Sequence, residues 1–293
     1  MEINQHNLIP ERFHPNTIGI LGGKGAMGEM LADMLCNQGY RVHVTGVDAA
    51  KGIVDKNLHT LNTKLIHDSD VIILATPIDV LMQGIPRLCG KQKITGLRNK
   101  LFVDIASTKT GVMSSLESLT GAAVIGSHPM FGPTVPTLKG QNVALCPLWR
   151  KHRVYDGRTG KCLQWLKTVW EKEDANVWVM SPAQHDSVTS ITQVATLLSV
   201  FLQASVASKI DRTLVNKLHT PNSRVLQERA NHMFRPDAAN HNVYAQLLNS
   251  HPHSIAVITE MKRMLIEIES QLSASNGVHH LHHQFSRLSQ QLG

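Results

Sequence analysis

The stretch that decides the fold is residues 17–28, TIGILGGKGAMG, in which an apolar, β-rich run ends in closely spaced glycines. Residues 26–38 follow with apolar side chains at helical spacing, and RVHVTGVD at 41–48 predicts a second strand. A strand, a glycine-rich turn, a helix and a second strand in this order are typical of a doubly wound α/β sheet. Such glycines allow a tight turn and the close approach of a pyrophosphate to the backbone, while the helix N-terminus supplies N–H donors.

This pattern predicts a dinucleotide site, although a glycine turn in an unrelated α/β protein would have the same local sequence. The predicted cofactor-binding residues are Gly23, Gly25, Ala26, Met27, Gly28 and Asp48. Asp48 lies at the end of the second predicted strand, where a carboxylate accepts hydrogen bonds from the ribose hydroxyls of NAD. The same carboxylate would repel the 2′-phosphate of NADP, so NAD is the predicted cofactor.

Strands and helices continue to alternate up to about residue 180, and the strand signals then stop. Further strands are predicted at 70–75, 100–105, 122–126, 142–146 and 176–180. Helices are predicted at 78–88, 110–118, 162–173, 182–210, 223–234, 241–249 and 253–273. We therefore predict an α/β fold with a Rossmann-like, mostly parallel sheet domain for NAD at 1–180. An all-helical domain for substrate and dimerisation is predicted at 181–293.

Composition narrows the class of protein. The 293 residues are 42% hydrophobic with a net charge of +7 and scattered basic residues, a balance that fits an acidic substrate or cofactor as well as nucleic acid. The one basic cluster, at 149–153, has no partner motif and is interpreted as a solvated loop, so no nucleic-acid partner is expected. Four cysteines without a CxxC pair favour reduced thiols in the cytoplasm. With no signal segment and no uninterrupted run of about 18 apolar residues, no membrane span is expected. No metal site is predicted, and the His-rich end is interpreted as a helical tail.

Two further segments follow predicted strands, where ligands bind in such sheets. They are DIASTK at 104–109 and GSHPMFGP at 126–133. A histidine between a strand end and a Pro/Gly-rich loop is suited to proton transfer, which makes His128 a candidate base. Ser107, taken alone, is more often a helix cap. For the pair His185-Asp186, capping of their own helix is favoured over a part in orienting an active site, since Ser181 and Asp186 suit a helix start and its dipole.

These motifs resemble the prephenate/arogenate dehydrogenase family over roughly residues 16–250. The resemblance rests on GGKGAMG, ATP at 75–77, DIASTK, SHPMFGP, and HD at 185–186 followed by Gln193. It is greatest to bacterial prephenate dehydrogenases that are often fused to chorismate mutase. The mutase helix is not expected here, because only 16 residues precede the first strand.

The resemblance implies a cytoplasmic homodimer that oxidatively decarboxylates prephenate to 4-hydroxyphenylpyruvate with NAD, a reaction of tyrosine biosynthesis. His128 would accept the C4-hydroxyl proton of prephenate. Ser107 would hydrogen-bond that hydroxyl or orient His128. Thr76 and Pro77 would join the cofactor-binding residues, and Gln193 would face the substrate.

The sequence departs from the family at the groups that hold the substrate's charges. Alignment puts His232 where the family has a carboxylate-binding arginine, and Leu197 where it has a second histidine. Arg224 is the best-matched basic residue nearby, with Arg229 and Arg235 as alternatives. Predicted substrate-binding residues are thus Ser107, His128, Gln193, Arg224 and His232.

Three alternatives remain, of which the first and the last follow from these departures and the second from the fold. One is the same chemistry on arogenate or 4-amino-4-deoxyprephenate. Another is a dehydrogenase of the β-hydroxyacid type, which uses a lysine base in its helical domain. The last is an NAD-binding sensor of the same fold without turnover.

Overall fold

In a computed structural model, the chain forms two compact units, one that ends at Asp186 and one that begins at Ser187. The structure describes residues 13–47, 58–82, 84, 97–119, 121–148, 157–218, 220–234 and 240–292. A seven-stranded sheet with helices forms the first unit, and the second is helical. This confirms the predicted fold class. The units part six residues beyond the predicted domain end at 180, and the roles assigned to the two domains stay predictions.

The sheet contains all seven predicted strands. They are β1 (Thr17–Leu21), β2 (Arg41–Thr45), β3 (Val71–Leu74), β4 (Leu101–Asp104), β5 (Ala123–Pro129), β6 (Asn142–Pro147) and β7 (Asn176–Val179). The strand order is β2-β1-β3-β4-β5-β6-β7, and the first five strands are mutually parallel. Strand β6 is antiparallel to β5, and β7 is parallel to β6. The doubly wound order reverses at β1, as the opening pattern predicts.

Both faces of the sheet are buried. Alternate residues of a strand point to opposite sides of the sheet, and in the central strands the residues on each side pack in a core cluster. Val71 and Ile73 pack in one core cluster and Ile72 and Leu74 in the other. The first cluster includes residues of helices α1 (Ala26–Asn37) and α4 (Gly157–Glu171). The second includes residues of α2 (Leu58–Asp68) and α3 (Thr110–Leu116). Each fully buried aliphatic side chain contributes roughly 1.5–3 kcal/mol of transfer free energy, so the sheet is a firm support for its loops.

Some element bounds differ from the predicted ones. Helix α2 was not predicted, and α4 begins five residues before the predicted 162, because its polar first turn lacks apolar periodicity. Of the helix predicted at 78–88, residues 78–82 are helical and 85–88 lie outside the described residues. The basic cluster at 149–153 also lies outside them.

From residue 182 onward the described chain is helical. The helices are α5 (Pro182–Thr189), α6 (Thr196–Ala207), α7 (Arg212–Lys217), α8 (Pro221–Met233), α9 (Asn240–Ser250), α10 (Ser254–Leu272) and α11 (Gly277–Leu292). Residues Ser190–Ala195, between α5 and α6, form a π-helical segment, and the Thr196 hydroxyl donates to the Ile191 carbonyl five residues back. The long helix predicted at 182–210 is therefore interrupted by one wide turn.

The stretch Pro182–Ala207 is more apolar than the sequence analysis allowed. An 18-residue window within it has a mean hydropathy of 1.4, enough by length and composition to cross a membrane, and 22% of that window is buried. Uninterrupted apolar runs were the wrong criterion, because Thr, Ser and Gln are scattered among the apolar residues here. Helices that pack in a protein core reach the same hydropathy, so this property alone assigns no membrane span.

Candidate functional site

The carboxyl ends of the parallel strands form one row across the sheet. Leu21 pairs with Thr45 on one side and with Leu74 on the other, Leu74 pairs with Asp104, and Asp104 pairs with Gly126. The glycine loop and the segments that begin at Ala75, Ile105 and Ser127 all continue directly beyond this row. Four of the predicted motifs thus reach one edge of the sheet, where ligands bind in open α/β folds.

The glycine loop has the local geometry of an anion site. Gly22 has a φ of +82°, and the Gly23 N–H donates to the Thr45 carbonyl at 2.8 Å. Helix α1 begins after Gly25 without a side-chain cap. A Cβ on Gly28 would lie 2.5 Å from both the Gly22 oxygen and the Gly23 Cα, whereas a Cβ on Gly25 would meet only the Gly22 oxygen at 3.4 Å. Gly28 is therefore required for helix–loop packing, and Gly25 keeps the approach to the helix N-terminus open.

Of the other predicted cofactor residues, four lie at or beside the glycine loop and one lies outside the described residues. Ala26 and Met27 form the first turn of α1. Thr76 and Pro77 follow β3 beside the loop, since a Cβ on Gly22 would lie 2.4 Å from the Ala75 oxygen. The Thr76 hydroxyl is buried with no hydrogen-bond partner among the described residues, which suits a donor to a bound ligand. Asp48 lies outside the described residues. The residues present fit a pyrophosphate, and the choice of NAD over NADP stays a prediction.

His128 lies within β5 and is 3% exposed. The prediction that the strand ends at 126, with His128 in the loop after it, is wrong. Strand β5 extends to Pro129 because antiparallel β6 pairs with residues 125–129, and His128 lies opposite Ala144. The pairing of β5 with β6 thus continues for three residues beyond Gly126, where the pairing of β5 with β4 ends. The backbone of His128 is therefore fixed by a strand rather than by a loop.

His185 and Asp186 form a chain of hydrogen bonds with His128. Nδ1 of His128 lies 2.8 Å from Nε2 of His185, and Nδ1 of His185 lies 2.8 Å from Oδ1 of Asp186. His185 is 1% exposed and Asp186 is fully buried. Sequence reasoning missed this contact, because 57 residues separate the two histidines and no local periodicity indicates their proximity.

Asp186 does not cap its own helix, so the favoured interpretation is wrong for Asp186 and holds for Ser181. Its carboxylate accepts the N–H groups of Lys109 and Thr110, each at 2.8 Å, at the start of α3. Ser181 is the residue that caps α5, since its hydroxyl accepts the Gln184 N–H. Burial opposes ionisation of Asp186, but the hydrogen bonds from His185 and Thr110 outweigh it and hold the pKa of Asp186 below its ordinary value.

A second buried charged pair lies next to this chain. The Lys109 ammonium donates to the Asp104 carboxylate, and both side chains are 0% exposed. Burial raises the pKa of Asp104 against the opposing effect of Lys109. Burial, and after it the charge of Lys109, hold the pKa of His128 well below 6.5. His128 is therefore a neutral imidazole at pH 7, the form that accepts a proton.

Ser107 is half-buried in the segment between β4 and α3, two residues before Lys109. The segment leaves β4 at the same edge from which β5 carries His128 onward, because Asp104 pairs with Gly126. Its contact with a substrate hydroxyl or with His128 stays a prediction.

The second unit contains a cavity of about 560 Å³ that brings several predicted substrate residues together. Gln193, Leu197, Arg229 and His232 line it, together with Thr196, Val225, Glu228, Met233, Tyr244 and Leu247. Gln193 lies on the π-helical segment, a feature that is frequent at functional sites. Arg224, exposed near the start of α8, is not among the lining residues, and Arg235 lies outside the described residues.

Within the described residues, no group of three or more His, Cys, Asp or Glu side chains is placed to hold a metal ion. The histidines of the C-terminal region, His279, His280, His282 and His283, lie on α11 as a helical tail.

Comparison with known proteins identifies the family. A family model described as "Prephenate dehydrogenase, nucleotide-binding domain" matches residues 31–179, just over half of the chain. The chain belongs to the prephenate dehydrogenase family. This confirms the resemblance inferred from the motifs, and the matched residues correspond to the nucleotide-binding domain of that family.

Individual relatives agree with the family. A "Probable arogenate/prephenate dehydrogenase" of Methanocaldococcus jannaschii is 34% identical over 187 residues, which are 60% of this chain and 39% of the relative. A "T-protein" of Haemophilus influenzae is 26% identical over 84% of this chain and 59% of its own. The fold is similar to that of prephenate dehydrogenase from A. aeolicus, solved in complex with hydroxyphenyl propionate and NAD+, with a TM-score of 0.66. That alignment has 18% identity and covers 95% of this chain and 99% of the other.

The chain spans between 39% and 59% of the length of these two curated relatives.

Proposed function

We propose that the protein is an NAD-dependent dehydrogenase that oxidatively decarboxylates prephenate to 4-hydroxyphenylpyruvate, with His128 as the proton acceptor. The observation that carries the proposal is the buried chain His128–His185–Asp186 beside the carboxyl edge of a family nucleotide-binding sheet. A neutral histidine held by a carboxylate-linked partner is the arrangement that general-base chemistry requires.

NAD+ supplies an acceptor for the hydride that leaves C4 of the substrate. His128 takes the C4-hydroxyl proton as the carbonyl forms. The ring then loses its C1 carboxylate as CO2 and becomes aromatic, so the reaction is strongly downhill. The protein needs to supply little beyond one base and correct positioning. The low pKa of His128 keeps the imidazole deprotonated for this role, and burial excludes water as a competing acceptor.

For the cofactor, the glycine loop and the first turn of α1 would hold the pyrophosphate through backbone N–H groups. The Thr76 hydroxyl would donate to the bound nucleotide. The Asp48 carboxylate would accept from the ribose hydroxyls, as its position after β2 predicts.

For the substrate's charged groups, the proposal assigns the cavity of the second unit. Its volume of about 560 Å³ lies in the range typical of small-molecule sites. Arg229 is the arginine among the lining residues and would pair with a carboxylate in two parallel hydrogen bonds, as arginine side chains do. His232 would add a donor. Arg229 therefore takes over the part that the sequence analysis gave first to Arg224.

A second candidate substrate is arogenate, and Glu228 is the observation that favours it. Glu228 lines the same cavity as Arg229. Arogenate carries an ammonium group where prephenate carries a keto group. A carboxylate beside the arginine would pair with that ammonium and repel the keto acid's extra negative charge.

The deciding experiment is NADH formation by the purified protein with NAD+ and, separately, prephenate, arogenate and 4-amino-4-deoxyprephenate. Turnover of prephenate supports the first proposal, and turnover of arogenate alone supports the second. Binding of NAD+ without turnover of any substrate would contradict both and favour a sensor.

Variants of the cavity make the assay specific. Arg229→Gln should raise the KM of the substrate at least 10-fold while leaving the KM of NAD+ unchanged. Arg224→Gln, on the same helix, discriminates the two arginines, because a larger effect there would restore the assignment made from sequence. Glu228→Gln should shift the preference from arogenate toward prephenate.

The homodimer and the cytoplasmic location remain proposals. Apolar side chains exposed on the second unit support the dimer, among them Ile191 at 64%, Phe201 at 50% and Ile255 at 76% exposure. Sedimentation equilibrium of the purified chain tests it, and a monomer at micromolar concentration would contradict it.

A further inference from the structure

We infer that His185 and Asp186 act as positioning residues that fix the tautomer of His128, with the proton on Nδ1 and the lone pair on Nε2. The structural part of this inference depends only on the hydrogen-bond chain. Its catalytic consequence rests on the proposed function, in which His128 accepts a proton.

The tautomer follows from counting protons along the chain. An ionised carboxylate has no hydrogen to donate, so at Asp186 the contact of 2.8 Å requires that His185 donates from Nδ1. We take His185 as neutral, so that its lone pair lies on Nε2; a doubly protonated His185 would donate from Nε2 and leave the proton of His128 on its own Nε2. The 2.8 Å contact between that atom and Nδ1 of His128 therefore requires that His128 donates from Nδ1. A neutral His128 is left with its lone pair on Nε2, which is the acceptor nitrogen.

Asp186 is suited to be the fixed end of this chain. It is fully buried, and its two carboxylate oxygens accept the N–H groups of Lys109 and Thr110 in addition to His185. These bonds hold the carboxylate ionised and oriented against the start of α3. The hydrogen bond to Asp186 thereby fixes the orientation of the His185 ring, and the hydrogen bond to His185 in turn fixes the orientation of the His128 ring.

The arrangement also accommodates the protonated state of the base. When Nε2 of His128 takes a proton, Nδ1 still carries its own and still donates to His185. The same hydrogen bond therefore serves both protonation states, and no ring needs to turn during proton transfer. Without His185, both tautomers of His128 become accessible, and the tautomer with the proton on Nε2 cannot act as a base at that atom.

The direct test is the ¹⁵N spectrum of the histidine rings in the full-length, ¹⁵N-histidine-labelled protein near pH 7. Comparison with His128→Asn assigns the His128 signals. The inference expects a protonated Nδ1 and an unprotonated Nε2 at His128. The reverse assignment in the wild type would overturn it, and this reading requires neither a folded variant of His185 nor any turnover.

Variants then test whether His185 is the cause. In His185→Ala, His128 should show a mixture of tautomers. In His185→Gln, an amide oxygen can accept from Nδ1, and the wild-type tautomer should return at least in part. An unchanged spectrum in His185→Ala would overturn the assigned role. His251→Ala is the matched control, because His251 is 4% exposed and bonds the Thr189 hydroxyl instead; it should leave the His128 signals unchanged.

Kinetics separates positioning from structural support. His185→Ala should lower kcat about 10²-fold or more, since a wrong tautomer costs a serine protease about 10⁴-fold, while the Kd of NAD+ stays unchanged. His185→Gln should recover part of the loss. Equal kcat in His185→Ala and the wild type would overturn the catalytic consequence. Absence of turnover in the wild type with all three substrates would instead contradict the proposed function, and the tautomer would still be measured by the spectrum.

Discussion

Replacing Lys109 by methionine should lower the free energy of unfolding of the sheet unit by about 3–5 kcal/mol. Lys109 and Asp104 are both 0% exposed, and removing one partner of a buried pair leaves an uncompensated charge. The total stability of a domain is only about 5–15 kcal/mol, so the loss would be a large part of it. Methionine retains most of the lysine's buried length, so the charge rather than a cavity is tested.

The double variant Asp104→Asn/Lys109→Met provides the control. It removes both charges, and the side-chain oxygen of the introduced asparagine can still accept the Ala106 N–H that Asp104 accepts now. Its unfolding free energy should lie closer to the wild type than that of Lys109→Met alone. The loss in the single variant should also shrink as the pH falls. Burial already raises the pKa of Asp104, so the folded variant binds a proton more tightly than the unfolded chain does.

Tryptophan fluorescence in a urea titration is the assay, since all four tryptophans, Trp149, Trp165, Trp170 and Trp178, precede Asp186 and report on the sheet unit alone. A loss below about 1 kcal/mol, or a double variant no more stable than the single one, would refute the reasoning. A second reading uses His128. The Lys109 charge lowers the pKa of His128, so an NMR titration of Lys109→Met should give a higher value.

Three further expectations concern the base and the glycine loop. His128→Asn should lower turnover about 10²–10⁴-fold while NAD+ binding, measured by calorimetry, persists; unchanged turnover would exclude His128 as the base. Gly28→Ala should lower the stability of the sheet unit in thermal unfolding, because its Cβ would lie 2.5 Å from atoms of Gly22 and Gly23. Gly25→Ala should keep the stability and weaken the binding of NAD+. Equal effects of the two variants would contradict this geometry. The free energy of unfolding should fall as the pH drops below 6.5, since the unfolded chain protonates His128 and the folded one does not. In urea titrations at several pH values, His128→Asn should make this dependence on pH less steep.

The sheet and the glycine loop could be predicted because their signals are local. Buried strands such as Val71–Leu74 are continuous apolar runs, and the spacing of Gly23, Gly25 and Gly28 reflects one turn and one helix start. Helix α2 was not predicted, because few of its residues are apolar and most are polar, so its helical periodicity is weak. The extension of β5 to His128 was missed for a different reason, since it depends on pairing with β6.

The candidate site could be predicted only in part, because its contacts join distant segments. The motifs indicated His128, but the partner His185 follows from tertiary structure alone. Asp186 does accept N–H groups at the start of a helix, as its capping signal predicts, but the helix is α3 rather than its own. The proposed replacement of Arg224 by Arg229 likewise rests on which face of α8 borders the cavity, since Arg229 lines it and Arg224 does not.

The π-helical segment makes the cavity of the second unit depend on chain length as well as on residue type. One residue inserted in an α-helix turns the later side chains by about 100°, and a wide turn absorbs such an insertion locally. Gln193 lies inside Ser190–Ala195 and Leu197 just after it, and both line the cavity. Deleting one residue from this segment would restore regular pairing and present a different face of the same sequence to the cavity. If the proposed substrate binds there, ligand preference can diverge among homologues through an insertion or deletion at this turn, with every lining residue type retained.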